Sequence, residues 1–497
     1  MRNDSDDEFI RGVDEFLRSL EQGSRPFIDS EDVEEYTRAM LDLTRYDDAE
    51  TIANYGLQIY PNNETYMLLL AWALIAQEKN IEKAQALLDK IEPKFKNNVE
   101  YVMQLGWIEF IDGHIDTALG LFERCLKLFQ KSLEENDAFV IYDIGERLNM
   151  AELYEEALIY LRAYDAYDNE MVDCIFNIAY ALSQLDRLDD SIAQYKRIFE
   201  LDPFYDNAWY NLGLIYVYKN DYDNALNAFQ TAISITPTHA ESYFNLGNVH
   251  KLQNKRYEAI EDYTEYISLC NGEVNNDVYA ILGECWQILG DFDLAKRFAL
   301  LCLDKDPQNL TAKYVLGGSH INEQNFAEAI KIFKEICKEE PDDVFAVYTL
   351  AFCHLEDHKY YMAERYAKKA IGMDHDLSAA WIVYARCSSD KTVPKSKHDK
   401  VSLLIGFVEY MSDMIECYQK EYGDLPVFEF FEGVIDYFMG LAQKNPTQLK
   451  QGLKTLDKVA KKYPHIFHIG ITEPTLEPIM IREDIREIMK KNNMLYE

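Results

Sequence analysis

Asn177, Asn211 and Asn245 recur at a constant interval of 34 residues, and each directly follows an aromatic residue: Phe176, Tyr210 and Phe244. A carboxamide carries a donor and an acceptor on one short arm, so it can hold the backbone of an extended peptide without reading its side chains. A ring beside each amide supplies a rigid apolar surface suited to an anchoring side chain. Tyr180 and Asn248 follow the first and third amides by 3 residues and continue the same chemistry. Reversible recognition of a peptide is what these eight residues could do together.

Little else points to making or breaking bonds. His354 and His358 have the i,i+4 spacing that could ligate a metal on a helix, but no third ligand accompanies them. His465 and His468 lie in a Pro-bounded stretch read as a loop and suggest nothing specific. The 9 Cys are scattered and never spaced C-x2-C, which argues against zinc and against a disulfide framework and for reduced, buried thiols. There is no phosphate-binding loop, dinucleotide fingerprint, nucleophile elbow or H-E-x-x-H. Acidic pairs such as Asp189-Asp190 and Asp342-Asp343 sit where turns are expected and suit helix capping. The reading is a non-enzyme with no catalytic, cofactor-binding or metal site.

Composition narrows the partners. The 497 residues carry a net charge of −37, a field that repels phosphate backbones and anionic membrane surfaces, so no nucleic acid is expected. No run approaches the length of a membrane span, and the first residues, Met1 to Glu8, lack the basic-then-apolar order of a secretory signal. No membrane insertion and a cytoplasmic location are expected. Charge is uneven along the chain: residues 1–390 carry 35 basic and 71 acidic side chains (net −36), whereas residues 391–497 carry 15 and 16 (net −1).

Helices must position the amides. In residues 207–238, Trp209, Leu212 and Tyr216 fall on one helical stripe, Gly213 lets a second helix approach, and Asn220-Asp221 breaks and restarts the helix. Ala225 and Phe229 form the matching face of the second helix, and Pro237 ends the unit. Windows starting at 30, 65, 99, 138, 172, 206, 240, 276, 310 and 344 place Ala or Ser at position 20 in all ten: Ala49, Ala84, Ala118, Ala157, Ser191, Ala225, Ala259, Ala295, Ala329 and Ala363. Position 8 is Gly in six of them, at 106, 145, 213, 247, 283 and 317. Histidines 250, 320 and 354 all occupy position 11, a packing position. The first two windows depart from the pattern. Thr37 stands where Gly is expected, and Trp72 does so in the second window, where sliding the first helix back by one puts Ala71 there and implies a longer turn at 78–80. Extra residues at 133–137 and 274–275 are assigned to inter-repeat loops.

The W-x2-L-G-x2-Y, A-x3-F and closing-Pro pattern resembles the tetratricopeptide repeat family over about three-quarters of the chain. The resemblance implies an all-α, right-handed superhelical solenoid of about ten to eleven helix-turn-helix units, with first helices lining a concave groove through positions 2, 5, 6, 9, 12 and 13. The three amides occupy position 6 and would form a ladder along that groove. In the ten windows those positions hold 12 acids and only two bases, Arg38 and Lys251, so a clamp for a C-terminal carboxylate is disfavoured and a neutral-to-basic partner favoured. The expected organisation is a capping helix within 1–29 (apolar face Phe9, Val13, Phe16, Leu20), repeats over 30–390, a basic linker at 391–400 and a C-terminal helical cap or small domain at 401–497. Helices are expected there at 401–422, 427–443, 448–462 and 481–489. The function implied is a non-catalytic interaction scaffold binding an extended peptide or protein segment. The alternative is a regulatory or assembly subunit acting through self-association or enzyme docking of its C-terminal segment. Oligomeric state is left open by the sequence.

Overall fold

The computed structural model of the chain describes residues 4–24, 26, 28–392, 400–492 and 494. They form two compact units, Met1–Val249 and His250–Glu497, and contain helices and no strand. None of these helices is long and apolar enough to cross a membrane.

In the first unit α1 (Asp4–Glu21) precedes six antiparallel pairs: α2 (Ser30–Asp42) with α3 (Tyr46–Ile59), α4 (Glu64–Ala76) with α5 (Ile81–Phe95), α6 (Val99–Ile111) with α7 (Ile115–Ser132), α8 (Glu135–Met150) with α9 (Tyr154–Asp165), α10 (Val172–Gln184) with α11 (Leu188–Leu201), and α12 (Asp206–Tyr218) with α13 (Tyr222–Ile235). The unit boundary falls inside α14 (Ala240–Leu252). The second unit continues with α15 (Arg256–Leu269), α16 (Asp277–Ile288), α17 (Phe292–Lys305), α18 (Leu310–Asn322), α19 (Phe326–Glu339), α20 (Val344–Glu356), α21 (Tyr360–Met373) and α22 (Ser378–Thr392). It closes with α23 (Lys400–Tyr422), α24 (Pro426–Ala442), α25 (Pro446–Lys462), α26 (Pro464–Ile471), a 3-10 turn (Pro474–Leu476), α27 (Glu477–Met480) and α28 (Glu483–Lys491). Of the expected basic linker, 391–392 end α22 and Lys400 opens α23, while 393–399 lie outside the described residues.

The turn inside each pair has one repeated solution. Position 15 takes the left-handed conformation in nine windows, at Thr44, Gly113, Glu152, Asp186, Asn220, Asn254, Gly290, Gln324 and His358. One such residue reverses the chain in three residues and lets the next helix start at position 17. The second window is the exception. There α4 starts one residue early, and the turn of 77–80 has two left-handed residues, Glu78 and Asn80, matching the longer turn expected from Trp72.

Shape complementarity then locks each pair. A Cβ on Gly213 would meet the ring of Phe229 at 2.5 Å, and one on Gly317 would meet Phe333 at 2.7 Å. Position 8 is therefore empty so that the large residue at position 24 can lie across it. Thr37 fits the same position because its hydroxyl donates to the Val33 carbonyl at 2.6 Å within its own helix.

Three expectations need correcting. Leu17 rather than Leu20 joins Val13 in the core at the α1 face, with Phe9 and Phe16 packed edge-on against Tyr36. The extra residues at 133–137 are mostly absorbed by helix: α7 runs to Ser132 and α8 starts at Glu135, leaving only 133–134 between them. The stretch after Pro464, read as a loop, is helix α26, because a proline at the first helical position forfeits no helical hydrogen bond and presets φ. Its Ile466 and Phe467 are buried in a cluster that runs without a break from Val347 on α20 to Ile488 on α28. Trp381 lies at the centre of that cluster, fully buried, with its indole N–H donating to the His375 carbonyl and its rings edge-on to Tyr418 and Phe428.

Candidate functional site

The amides lie on successive first helices of the first unit: Phe176, Asn177 and Tyr180 on α10, Tyr210 and Asn211 on α12, Phe244, Asn245 and Asn248 on α14. All eight residues are half-buried. Helical periodicity puts positions 2, 5, 6 and 9 on one stripe, so their arrangement follows from the register.

What each amide does depends on its neighbour one repeat upstream. Asn177 donates its Nδ2–H to the Tyr142 hydroxyl on α8 at 3.0 Å, and Asn245 donates to the Tyr210 hydroxyl on α12 at 3.2 Å. Both tyrosines sit at position 5, 35 residues before their amide. Between them the equivalent residue is Phe176, which has no hydroxyl. Among the described residues Asn211 makes only the bond back to the Asn207 carbonyl of its own helix, at 2.8 Å; Asn245 makes the equivalent bond to the Glu241 carbonyl at 3.0 Å in addition to its Tyr210 contact. The ladder is thus two Tyr–Asn rungs flanking one amide that has no tyrosine partner.

The rungs are anchored further. Tyr142 donates to Glu146 at 2.9 Å, and burial together with that carboxylate pushes the phenol well above its ordinary range. Tyr210 packs against Phe229 and His239, and burial, with Glu241 nearby, raises its phenol too. Asn149 donates to the Asn177 backbone carbonyl at 2.9 Å, tying α8 to α10. Asn248 donates to Asn245 Oδ1 at 3.5 Å, a long contact. Phe176 packs between Tyr195 and Tyr205, and Tyr205 in turn donates to Asp173 at 2.8 Å. Asn177 Oδ1 and Asn211 Oδ1 accept no hydrogen bond from the described residues. The arrangement therefore turns amide donors toward protein partners and leaves the Oδ1 atoms of Asn177 and Asn211 without a donor among the described residues. Tyr142, Asn149 and Asp173 belong with the site. The signal for Tyr142 was its place at position 5 in the preceding window.

The acidic lining is less bare than residue counting implies. Glu100 is only 8% exposed and faces Arg38 at 3.4 Å, while Asp143 pairs with Arg147 at 2.9 Å. Burial pushes both carboxyls up against the opposing pull of their arginines. Arg147 occupies position 10, outside the six positions counted, and its guanidinium also covers Trp107 at 5.4 Å. In the second unit, Glu284 meets Lys251 at 2.8 Å and Glu356 meets Arg386 at 2.7 Å. Near the amides the remaining acids are Glu146, Asp173 and Glu241.

Other candidate groups are structural. His250 shares a 2.6 Å hydrogen bond with Asp262. His354 and His358 do not share a helical face, because α20 ends at Glu356 and His358 sits in the left-handed turn. Six thiols are buried, and burial raises those of Cys174 and Cys353 to about 12; Cys417, by contrast, is exposed.

Models of the tetratricopeptide repeat match residues 40–105, 172–205, 213–254 and 240–272. No curated protein matches the sequence as a relative. Solved structures with similar stretches include YrrB, described as a TPR protein with an unusual peptide-binding site (20% identity, 38% of this chain and 95% of that one, TM-score 0.35). Others are a tetratricopeptide repeat protein from Parabacteroides merdae (15% identity, 54% and 98%, TM-score 0.37) and the C-terminal part of a TPR repeat-containing protein from Cytophaga hutchinsonii (14% identity, 52% and 98%, TM-score 0.39).

Proposed function

The chain is a tetratricopeptide repeat protein, and on that premise we propose that it is a non-catalytic interaction scaffold holding an extended, neutral-to-basic segment of a partner along α10, α12 and α14. The observation that supports this reading is the polarity of the ladder. Tyr142 and Tyr210 occupy the amide nitrogens of Asn177 and Asn245, and the Oδ1 atoms of Asn177 and Asn211 remain as acceptors. An extended segment presents a backbone N–H at regular intervals and would donate to them. Asp173 and Glu241 at position 2 of their windows would favour a Lys or Arg in that segment, through charge that salt screens over about 8 Å at physiological ionic strength. The nine free thiols suit a reducing compartment such as the cytoplasm.

The test begins with affinity capture from the native host to obtain a partner segment. That segment is then titrated against the parent chain and against Asn177→Ala/Asn211→Ala/Asn245→Ala at two salt concentrations, with helicity checked by circular dichroism. One neutral hydrogen bond contributes about 0.5–1.5 kcal/mol, so the triple change is expected to weaken binding by roughly ten- to a thousandfold. Equal affinity for both proteins would move the site off this ladder.

A further inference from the structure

The second unit carries a cleft of about 410 Å³ lined by Lys334, Cys337 and Lys338 of α19, Leu350 of α20, and Arg365, Tyr366 and Lys369 of α21. All four bases are exposed, and none makes an ion pair with any described residue. That is unusual in a chain with 87 acids and 50 bases. Acids on the same helices are engaged elsewhere: Glu328 with Lys331 at 2.6 Å, Glu339 with Lys313 at 2.6 Å, and Glu364 with Lys368 at 3.0 Å. Glu335, also on α19, does not line the cleft.

The repeat register shows that this junction is singular. Lys334 and Lys338 occupy positions 25 and 29 of one window, and Arg365 and Lys369 occupy positions 22 and 26 of the next. At the other eight junctions the same four positions never hold more than two bases. The pair that comes nearest, Arg162 and Arg197, is neutralised in part, since Arg197 binds Asp165 at 2.7 Å. The floor of the cleft is neutral. Leu350 is buried, burial pushes the Cys337 thiol above its ordinary range, and Tyr366 is stacked flat on the buried ring of His354 at 5.4 Å.

We infer that this cleft binds a phosphorylated side chain of a partner protein. Three ammonium groups and one guanidinium around a single opening suit a compact dianion, and the guanidinium fork can take two of its oxygens. The volume exceeds that of a phosphoryl group, and the ring of Tyr366 with Leu350 can receive the carrier side chain. A long polyanion is disfavoured, because beyond the cleft it meets the field of a chain of net charge −37. This site is separate from the amide ladder, and either can fail without the other.

The test uses the full chain and labelled peptides of otherwise neutral sequence carrying phosphotyrosine, phosphoserine, Tyr, Ser or Glu at the centre, read by fluorescence anisotropy. Either phosphopeptide is expected to bind at least about tenfold tighter than its unmodified counterpart and the Glu peptide. Arg365→Gln/Lys369→Gln is expected to weaken binding by roughly ten- to a hundredfold, and Lys131→Gln/Lys127→Gln on α7 to leave it unchanged. Glutamine keeps helix propensity, and thermal melts verify folding. Three results would each overturn the proposal: equal phosphopeptide affinity for parent and Arg365/Lys369 variant, inorganic phosphate binding as tightly as the peptides, or tighter binding of a single-stranded oligonucleotide.

Discussion

The face of α10, α12 and α14 and the cleft lined by α19, α20 and α21 are built by opposite means. The first repeats one residue type at one position through successive windows. The second breaks the pattern at one junction, where four bases meet that are nowhere else combined. Repetition yields a row of weak, equivalent contacts suited to a ligand that is itself periodic, such as an extended backbone. A single break yields a concentrated charge suited to a compact group. The supporting cores differ too. The amide face rests on small local clusters around Tyr195 and Phe229, whereas α20 and α21 share the large cluster that continues to α28.

That difference can be broken most severely at Asp390. Truncation there removes Tyr418, Tyr422 and Phe428 from around Trp381, and losing one buried aromatic alone costs about 3–5 kcal/mol. Circular dichroism and calorimetry are expected to show the second unit's transition lost or the product aggregating, while α10 to α13 keep their helicity. A truncated chain with an unchanged melting profile would mean that 401–497 is an appended domain rather than a cap.

Acid should separate the two regions next. His354 is 3% exposed, neither ring nitrogen has a hydrogen-bond partner, and burial, with Lys334 and Lys359 adding to it, pushes it down from 6.5 to about 4. Unfolded chains therefore take up this proton first as pH falls. Stability from the neutral ring is whole above about 6.5, and is lost progressively down to about 4, with an upper limit of roughly 3 kcal/mol. His354→Phe keeps the stack on Tyr366 and should flatten that slope in urea titrations across the window. An unaltered slope would assign the acid sensitivity to other groups.

Gly213→Leu should act on the other side of the comparison. Its side chain must displace Phe229 or push α12 off α13, a cost of roughly 1–3 kcal/mol. The measured midpoint should fall for the first unit and phosphopeptide binding at the cleft should persist. A melt indistinguishable from the parent would show the register to be wrong.

The smallest change sharpens the ladder. Phe176→Tyr places a hydroxyl where Asn211 lacks one and should recruit its amide into a third rung, stabilising by about 0.5–1.5 kcal/mol at most. The readout is slowed exchange of the Asn211 side-chain amide protons by NMR. Unchanged exchange would show that the added hydroxyl does not engage the amide, which can keep its Asn207 bond in either case, as Asn245 keeps its bond to Glu241.

Much of this architecture was legible in the residues alone. The period of 34, the small residue at position 20 and the Gly at position 8 each report on contact between helices adjacent in sequence. So does the longer turn at 78–80, inferred from Trp72 and found as two left-handed residues. Such contacts are set by spacing along one helix and one short turn, and a linear pattern records them. Tertiary structure alone decided which side chains face one another across repeats. Asn177 and Tyr142 are 35 residues apart, and Glu100 and Arg38 are 62 apart, so charge counting treated as free a carboxylate that is buried and matched. The proline at 464 read as a break and became a helix start because the core around Phe430 and Phe467 had room for one more helix. The four bases of the cleft belong to two windows, and neither window alone is basic enough to be noticed. Interaction energy depends on distance in space, and beyond a few turns of helix the sequence specifies that distance only through the packing it produces.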